Sequence, residues 1–164
     1  VIVRCKVIPI EKKATDGSIF SKKVLLEYLQ SDMYKYRIEN KLMVGGITHL
    51  NRDESRTPSR IIAISDQMLL NKSITHYVTE LYIQNDWMYG TIKFLDEKIM
   101  DEDSAKNIRF IKGLLLNGIY VPVSASVVAE WRGNVAVRVY DILGIDFTLE
   151  PGFQGAGVID IKIQ

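Results

Sequence analysis

Two hydroxyls stand inside an otherwise apolar run, GIYVPVSASVVAEW, at residues 118–131. The run reads as a strand. Side chains alternate along a strand, so Pro122, Ser124, Ser126 and Val128 share one face. Ile119, Val121, Val123, Ala125 and Val127 form the other, wholly apolar face, which is expected to meet the core. Pro122 has no N–H to give the ladder, so the strand is an edge or is distorted there. A hydroxyl on a stiff strand beside such an irregularity can serve as a held nucleophile. The same pattern also fits two serines bonded to the backbone.

A serine nucleophile needs a base within hydrogen-bond reach and a third group to orient that base. The chain has two histidines. His49 follows Gly45-Gly46 and opens a polar loop, a strand-end position where a general base is useful. It also fits a loop histidine without a task. His76 shares a strand face with Ile74 and Val78, which favours a packed imidazole with both nitrogens satisfied. Candidate third groups are Glu130, Asp141 and Asp146. Asp146 stands out because LGIDFTL surrounds it with apolar residues, and a buried carboxylate is expensive unless paired. A partly exposed acid at a strand end is the alternative.

Late in the chain PGFQGAG, residues 151–157, offers backbone N–H groups and few side chains. Gly152, Phe153, Gln154 and Gly155 could line an oxyanion site, or form an ordinary turn. No lysine-serine or lysine-threonine pair follows, so this is no phosphate-binding loop. Two histidines and one cysteine make no zinc pattern. Cys5 has no neighbour in sequence that would lower its pKa.

The elements that must position these groups follow from periodicity. Val1–Ile10 reads as a strand, and Asp16-Gly17 as a turn. Ser21 caps a helix expected to run to about Asn40, with Val24, Leu25, Tyr28 and Leu29 on its buried face. Met43–His49 is a short apolar run. Asn51–Ser59 reads as an exposed loop and Arg60–Ser65 as a short strand. Ile74–Ile83 and Trp87–Leu95 alternate about Gln84-Asn85-Asp86, a hairpin signal. Asp103 or Ser104 is expected to cap a helix with Ile108, Ile111, Leu114 and Leu115 inward and Gly118 as its stop. After the serine strand come a turn at Arg132-Gly133-Asn134, a strand from Val135, a short strand Ile145–Leu149, and a last one at Val158–Ile163. About seven strands and two helices result. The expected class is α+β, dominated by β: a bent, mostly antiparallel sheet or a barrel, flanked by helices, in one domain spanning 1–164.

Lys+Arg is 21 against Asp+Glu 20, a formal net charge of +1, so nothing advertises a nucleic-acid partner. No apolar run approaches the ~18 residues of a membrane span. A single cysteine forbids an internal disulfide and suits a reducing compartment.

In this order, from GGITH through the hairpin LYIQNDWMYGTIKFLD, the segment IKGLLLNGIYVPVSAS and DFTLEP, the chain resembles the prohead (capsid maturation) serine proteases of tailed bacteriophages. Those proteases are related to the herpesvirus assemblins. The resemblance spans about Met43 to Ala156. It implies His49 as catalytic base, Ser124 as nucleophile and Asp146 as third member, with Thr75-His76 matching a second family histidine. The resemblance leaves His76 and Ser126 as candidate auxiliary residues. It further implies an assemblin-like fold, and an endopeptidase acting on scaffold or core proteins, on the major capsid protein and on itself. The place of action would be inside the prohead in the host bacterial cytoplasm, with a homo-oligomer as one open state, no metal or organic cofactor, and no nucleic-acid or membrane partner. The family motif usually continues Ser-Arg-Gly, where this chain has Ala125-Ser126-Val127, and Pro122 replaces the usual glycine. The alternative is therefore a virion structural or scaffold protein that kept the fold without activity.

Overall fold

The computed structural model describes residues 1–47, 72–149 and 151–163. His49, the loop expected at Asn51–Ser59 and the strand expected at Arg60–Ser65 lie outside the described residues.

Strand β1 (Ile2–Pro9) runs between two antiparallel partners, β5 (Trp87–Phe94) and β8 (Gly157–Lys162). With β4 (His76–Gln84) and the short β3 (Val44–Gly45) they make a five-stranded sheet in the order β3-β4-β5-β1-β8. The alternation in WMYGTIKF does what its period implies: Met88, Gly90, Ile92 and Phe94 point inward. Asn85 turns the β4–β5 hairpin with φ +55°, a left-handed conformation that asparagine tolerates better than most residues.

A second sheet has the order β2-β7-β6, from Ile19–Phe20, Val135–Phe147 and Val123–Arg132. Its β6–β7 pairing is antiparallel and β2 joins β7 in parallel. Among the described residues the sheets do not close into a barrel. They are stitched at the start of β6, where Pro122 bridges Gly157, the Val123 N–H donates to the Ala156 carbonyl and the Val158 N–H donates to the Val121 carbonyl. Pro122 thus sits where the ladder changes partner and no donor is missed. Val3, Val7, Met88, Ile92, Ile142, Ile145 and Phe147 are among the side chains that fill the core.

Several boundaries differ from expectation. The helix from Ser21 is two helices, α1 (Lys22–Leu29) and α2 (Asp32–Glu39). Ser31 makes the break: its Oγ accepts from the Tyr34 N–H and donates to the Tyr28 carbonyl, so it caps a new helix rather than continuing the old one. Val24, Leu25 and Tyr28 of α1 are buried, each stabilising by roughly 1.5–3 kcal/mol. Helix α3 (Glu102–Leu116) is capped by Asp101, whose carboxylate accepts from the Ser104 N–H; neither Asp103 nor Ser104 is the cap. Gly118, φ +79°, ends that helix as expected. The two strands expected at Val135 and Ile145 are one strand, β7, and Ile119 is exposed rather than in the core.

Candidate active site

Ser124 and Asp146 are register partners across β6 and β7. Directly paired residues of antiparallel strands point to the same face with Cβ atoms about 5 Å apart. Asp146 is 1% exposed, and its Oδ1 accepts from the Gly46 N–H at 2.9 Å. The Phe147 N–H in turn donates to the Gly46 carbonyl at 2.9 Å. Gly46 is therefore clasped by β7 at the residue that carries the candidate acid.

The first glycine of the run has a steric reason at the same place. A Cβ on Gly45 would overlap the Ile145 carbonyl and lie 2.5 Å from His76 Nε2. A Cβ on Gly144 would overlap the Val44 carbonyl. Two backbones cross here in contact, and glycine on each permits it.

His76 lies under the crossing, fully buried. Its Nε2 is 2.6 Å from the Ile145 carbonyl and its Nδ1 is 2.7 Å from Thr75 Oγ1. A carbonyl only accepts, so Nε2 carries the proton, and Nδ1 accepts from the threonine hydroxyl. Burial pushes the imidazole below its ordinary pKa, against the opposing pull of the Ile145 bond and the Asp146 charge. Phe147 packs on the ring at 4.7 Å between centroids. Both nitrogens thus have partners other than Ser124.

The other acids are placed elsewhere. Asp141 is held by Arg37, with Nη2 to Oδ2 at 2.6 Å, and accepts from the Tyr28 hydroxyl at 3.2 Å. Glu130 is exposed. Of the three candidates, Asp146 alone pairs with Ser124. From the opposite side comes the 151–157 loop: a Cβ on Gly152 would stand 3.8 Å from Ser124 Oγ. Phe153 packs edge-on against Phe20, and Gly155, φ +89°, backs onto Trp87. Among the described residues, none of the N–H groups of Gly152, Phe153, Gln154 and Gly155 donates a hydrogen bond.

Compared with solved structures, the chain is similar to the bacteriophage T4 capsid assembly protease, gp21. The TM-score is 0.53 at 10% sequence identity, over 96% of this chain and 80% of the other. This chain has the gp21 fold. No protein-family model matches it, and no curated protein matches it by sequence. At that identity the likeness shows the fold.

Within the gp21 fold as this chain builds it, Ser126 is buried opposite Gly144, and its Oγ has no hydrogen-bond partner among the described residues. Cys5 is buried in β1, and burial pushes its thiol pKa up, away from nucleophilic use. No group of three or more histidine, cysteine or acidic side chains among the described residues could hold a metal. No helix among them is long and apolar enough to cross a membrane. Two contributors escaped the sequence reading. Gly144 is an ordinary strand residue until its crossing partner is known, and Thr15, which bonds the Gly152 carbonyl, lies in a polar loop with no motif around it.

Proposed function

We propose that this chain is a serine endopeptidase of capsid assembly, with Ser124 as nucleophile, His49 as general base and Asp146 as the orienting acid. The pairing of Ser124 with an Asp146 carboxylate tied to Gly46 carries this reading. Gly46 is three residues before His49, and three residues of chain span at most about 11 Å. The base is thus tethered by a short stretch to the acid that would orient it.

In this mechanism Ser124 Oγ attacks the scissile carbonyl carbon as His49 takes its proton. The carbonyl π pair moves onto oxygen, where N–H groups of the Gly152–Gly155 loop receive it. On collapse the C–N bond breaks and His49 returns the proton to the leaving amine. Water then hydrolyses the acyl-enzyme by the same route. Asp146 holds the imidazole tautomer and stabilises the imidazolium. The substrates are scaffold or core proteins, the major capsid protein and the chain itself, inside the prohead.

A second reading is an inactive structural protein of the same fold, favoured by Ala125-Ser126-Val127 in place of Ser-Arg-Gly. A mixed-peptide digest followed by mass spectrometry separates the two. Wild type should release defined products, and Ser124→Ala and His49→Ala should release none, while His76→Gln retains cleavage by its folded fraction. Cleavage that survives Ser124→Ala would sink the serine mechanism. Loss with His76→Gln but not with His49→Ala would move the base to His76.

A further inference from the structure

The carbonyl of Gly152 is gripped twice by one residue. Thr15 donates its backbone N–H at 3.0 Å and its Oγ1–H at 3.1 Å. It does so from the β1–β2 connection, a part of the chain remote in sequence from Ser124. The grip falls on a peptide whose two faces have different duties. The bond between Gly152 and Phe153 is trans, so the Phe153 N–H points opposite to the Gly152 carbonyl. Gly152 borders Ser124 Oγ. The Phe153 N–H donates no hydrogen bond among the described residues, and the Phe153 ring is anchored by Phe20.

We propose that Thr15 is a positioning residue for the oxyanion site. By holding the Gly152 carbonyl outward it keeps the Phe153 N–H turned toward the oxygen that becomes negative when Ser124 attacks. Glycine at 152 makes this grip necessary. Without a Cβ the 152–153 peptide plane can rotate at little steric cost, and rotation would present a carbonyl, a repulsive dipole, to the oxyanion. The Thr15 hydroxyl and N–H together oppose that flip. The proposal rests on the endopeptidase reading.

The test uses the full chain, a peptide that wild type cleaves, and a peptidyl trifluoromethyl ketone. The ketone forms a hemiketal oxyanion with the nucleophilic serine. Thr15→Val removes the hydroxyl bond and keeps the N–H bond, and Thr15→Ser keeps both. Losing a direct oxyanion donor costs on the order of 10²–10³ in kcat, so losing half of its support should cost roughly 10-fold. The expected result is a roughly 10-fold lower kcat for Thr15→Val with KM unchanged, and recovery to within about 2-fold in Thr15→Ser. Ketone affinity should fall in parallel, and the hemiketal should ionise at higher pH by ¹⁹F NMR. A purely structural role for Thr15 would not move that ionisation. Thr15 is exposed, and Thr15→Ala gives the same comparison if the valine variant unfolds. Equal kcat and equal hemiketal ionisation in wild type and Thr15→Val overturn the proposal alone. Wild type that neither cleaves peptide nor forms a hemiketal overturns the endopeptidase reading, and this proposal with it.

Discussion

Asp141 and Asp146 lie on the same strand, both buried, and do different work. Asp141 faces α1 and α2, where the Arg37 guanidinium and the Tyr28 hydroxyl saturate it. Asp146 faces Ser124 and takes a backbone N–H. The first therefore fastens two helices to the sheet, and the second stands beside the nucleophile of the proposed mechanism. Asp141→Ala strands a largely buried guanidinium and a tyrosine hydroxyl. The expected loss is ~3 kcal/mol, at the low end for a broken buried pair because Arg37 keeps some solvent contact. Arg37→Met with Asp141→Leu should recover much of that loss, since no charge is then buried alone. Asp146→Asn should lower kcat by roughly 10³–10⁴ with a smaller change in stability. Urea unfolding and peptide kinetics on the same preparations separate the roles. Equal kcat losses for Asp141→Ala and Asp146→Asn would merge them.

At the scale of elements, the decisive feature is the crossing of β3 over β7. It is built on glycines that meet backbone rather than flexible side chains. Gly144→Ala sets a methyl against the Val44 carbonyl, and neither strand can yield without breaking its ladder. A loss of about 3 kcal/mol or more is expected, beyond ordinary overpacking. Helix α3 supplies the contrast: Gly113 has open space around its Cβ position, so Gly113→Ala should stabilise by about 0.5–1 kcal/mol. Midpoints of urea unfolding check both, and a Gly144→Ala midpoint near wild type would mean that the crossing does not require glycine. The two cases also show what can be read from sequence. Strong local signals carried through, among them the alternation of β5, the Gly118 stop, the Asn85 hairpin and the Arg132-Gly133-Asn134 turn that joins β6 to β7. Elements set by tertiary contact did not. The register shifts of β6 against β7 and the polar Tyr140-Asp141 step hide a continuous strand, because Asp141 is buried only with Arg37 present. Ser31 reads as a mid-helix residue until its cap is seen, and the two-residue β2 has no period to detect.

For the whole molecule, the described residues join the two sheets at seams that include the Pro122–Gly157 bridge and the site under Gly45. The second seam is closed by a neutral imidazole. His76 on β4 donates to the Ile145 carbonyl on β7, and burial disfavours its charged form. Its folded pKa is held below the ordinary value of 6.5. Between these two values the unfolded chain binds more protons than the folded one, so stability rises with pH across that window. The contribution is present in full above about pH 6.5 and is lost as pH falls through the folded pKa, with a slope no steeper than about 1.4 kcal/mol per pH unit. His76→Gln removes this titration and leaves His49 and every carboxylate in place. The variant should be less stable throughout, and the gap between it and wild type should narrow as pH falls from 7.5 to 5.5. Unfolding free energies from urea titrations at several pH values give that gap directly. A gap that stays constant or widens in acid would mean that the seam tolerates the imidazolium, with the Asp146 charge outweighing desolvation at the junction of the two sheets.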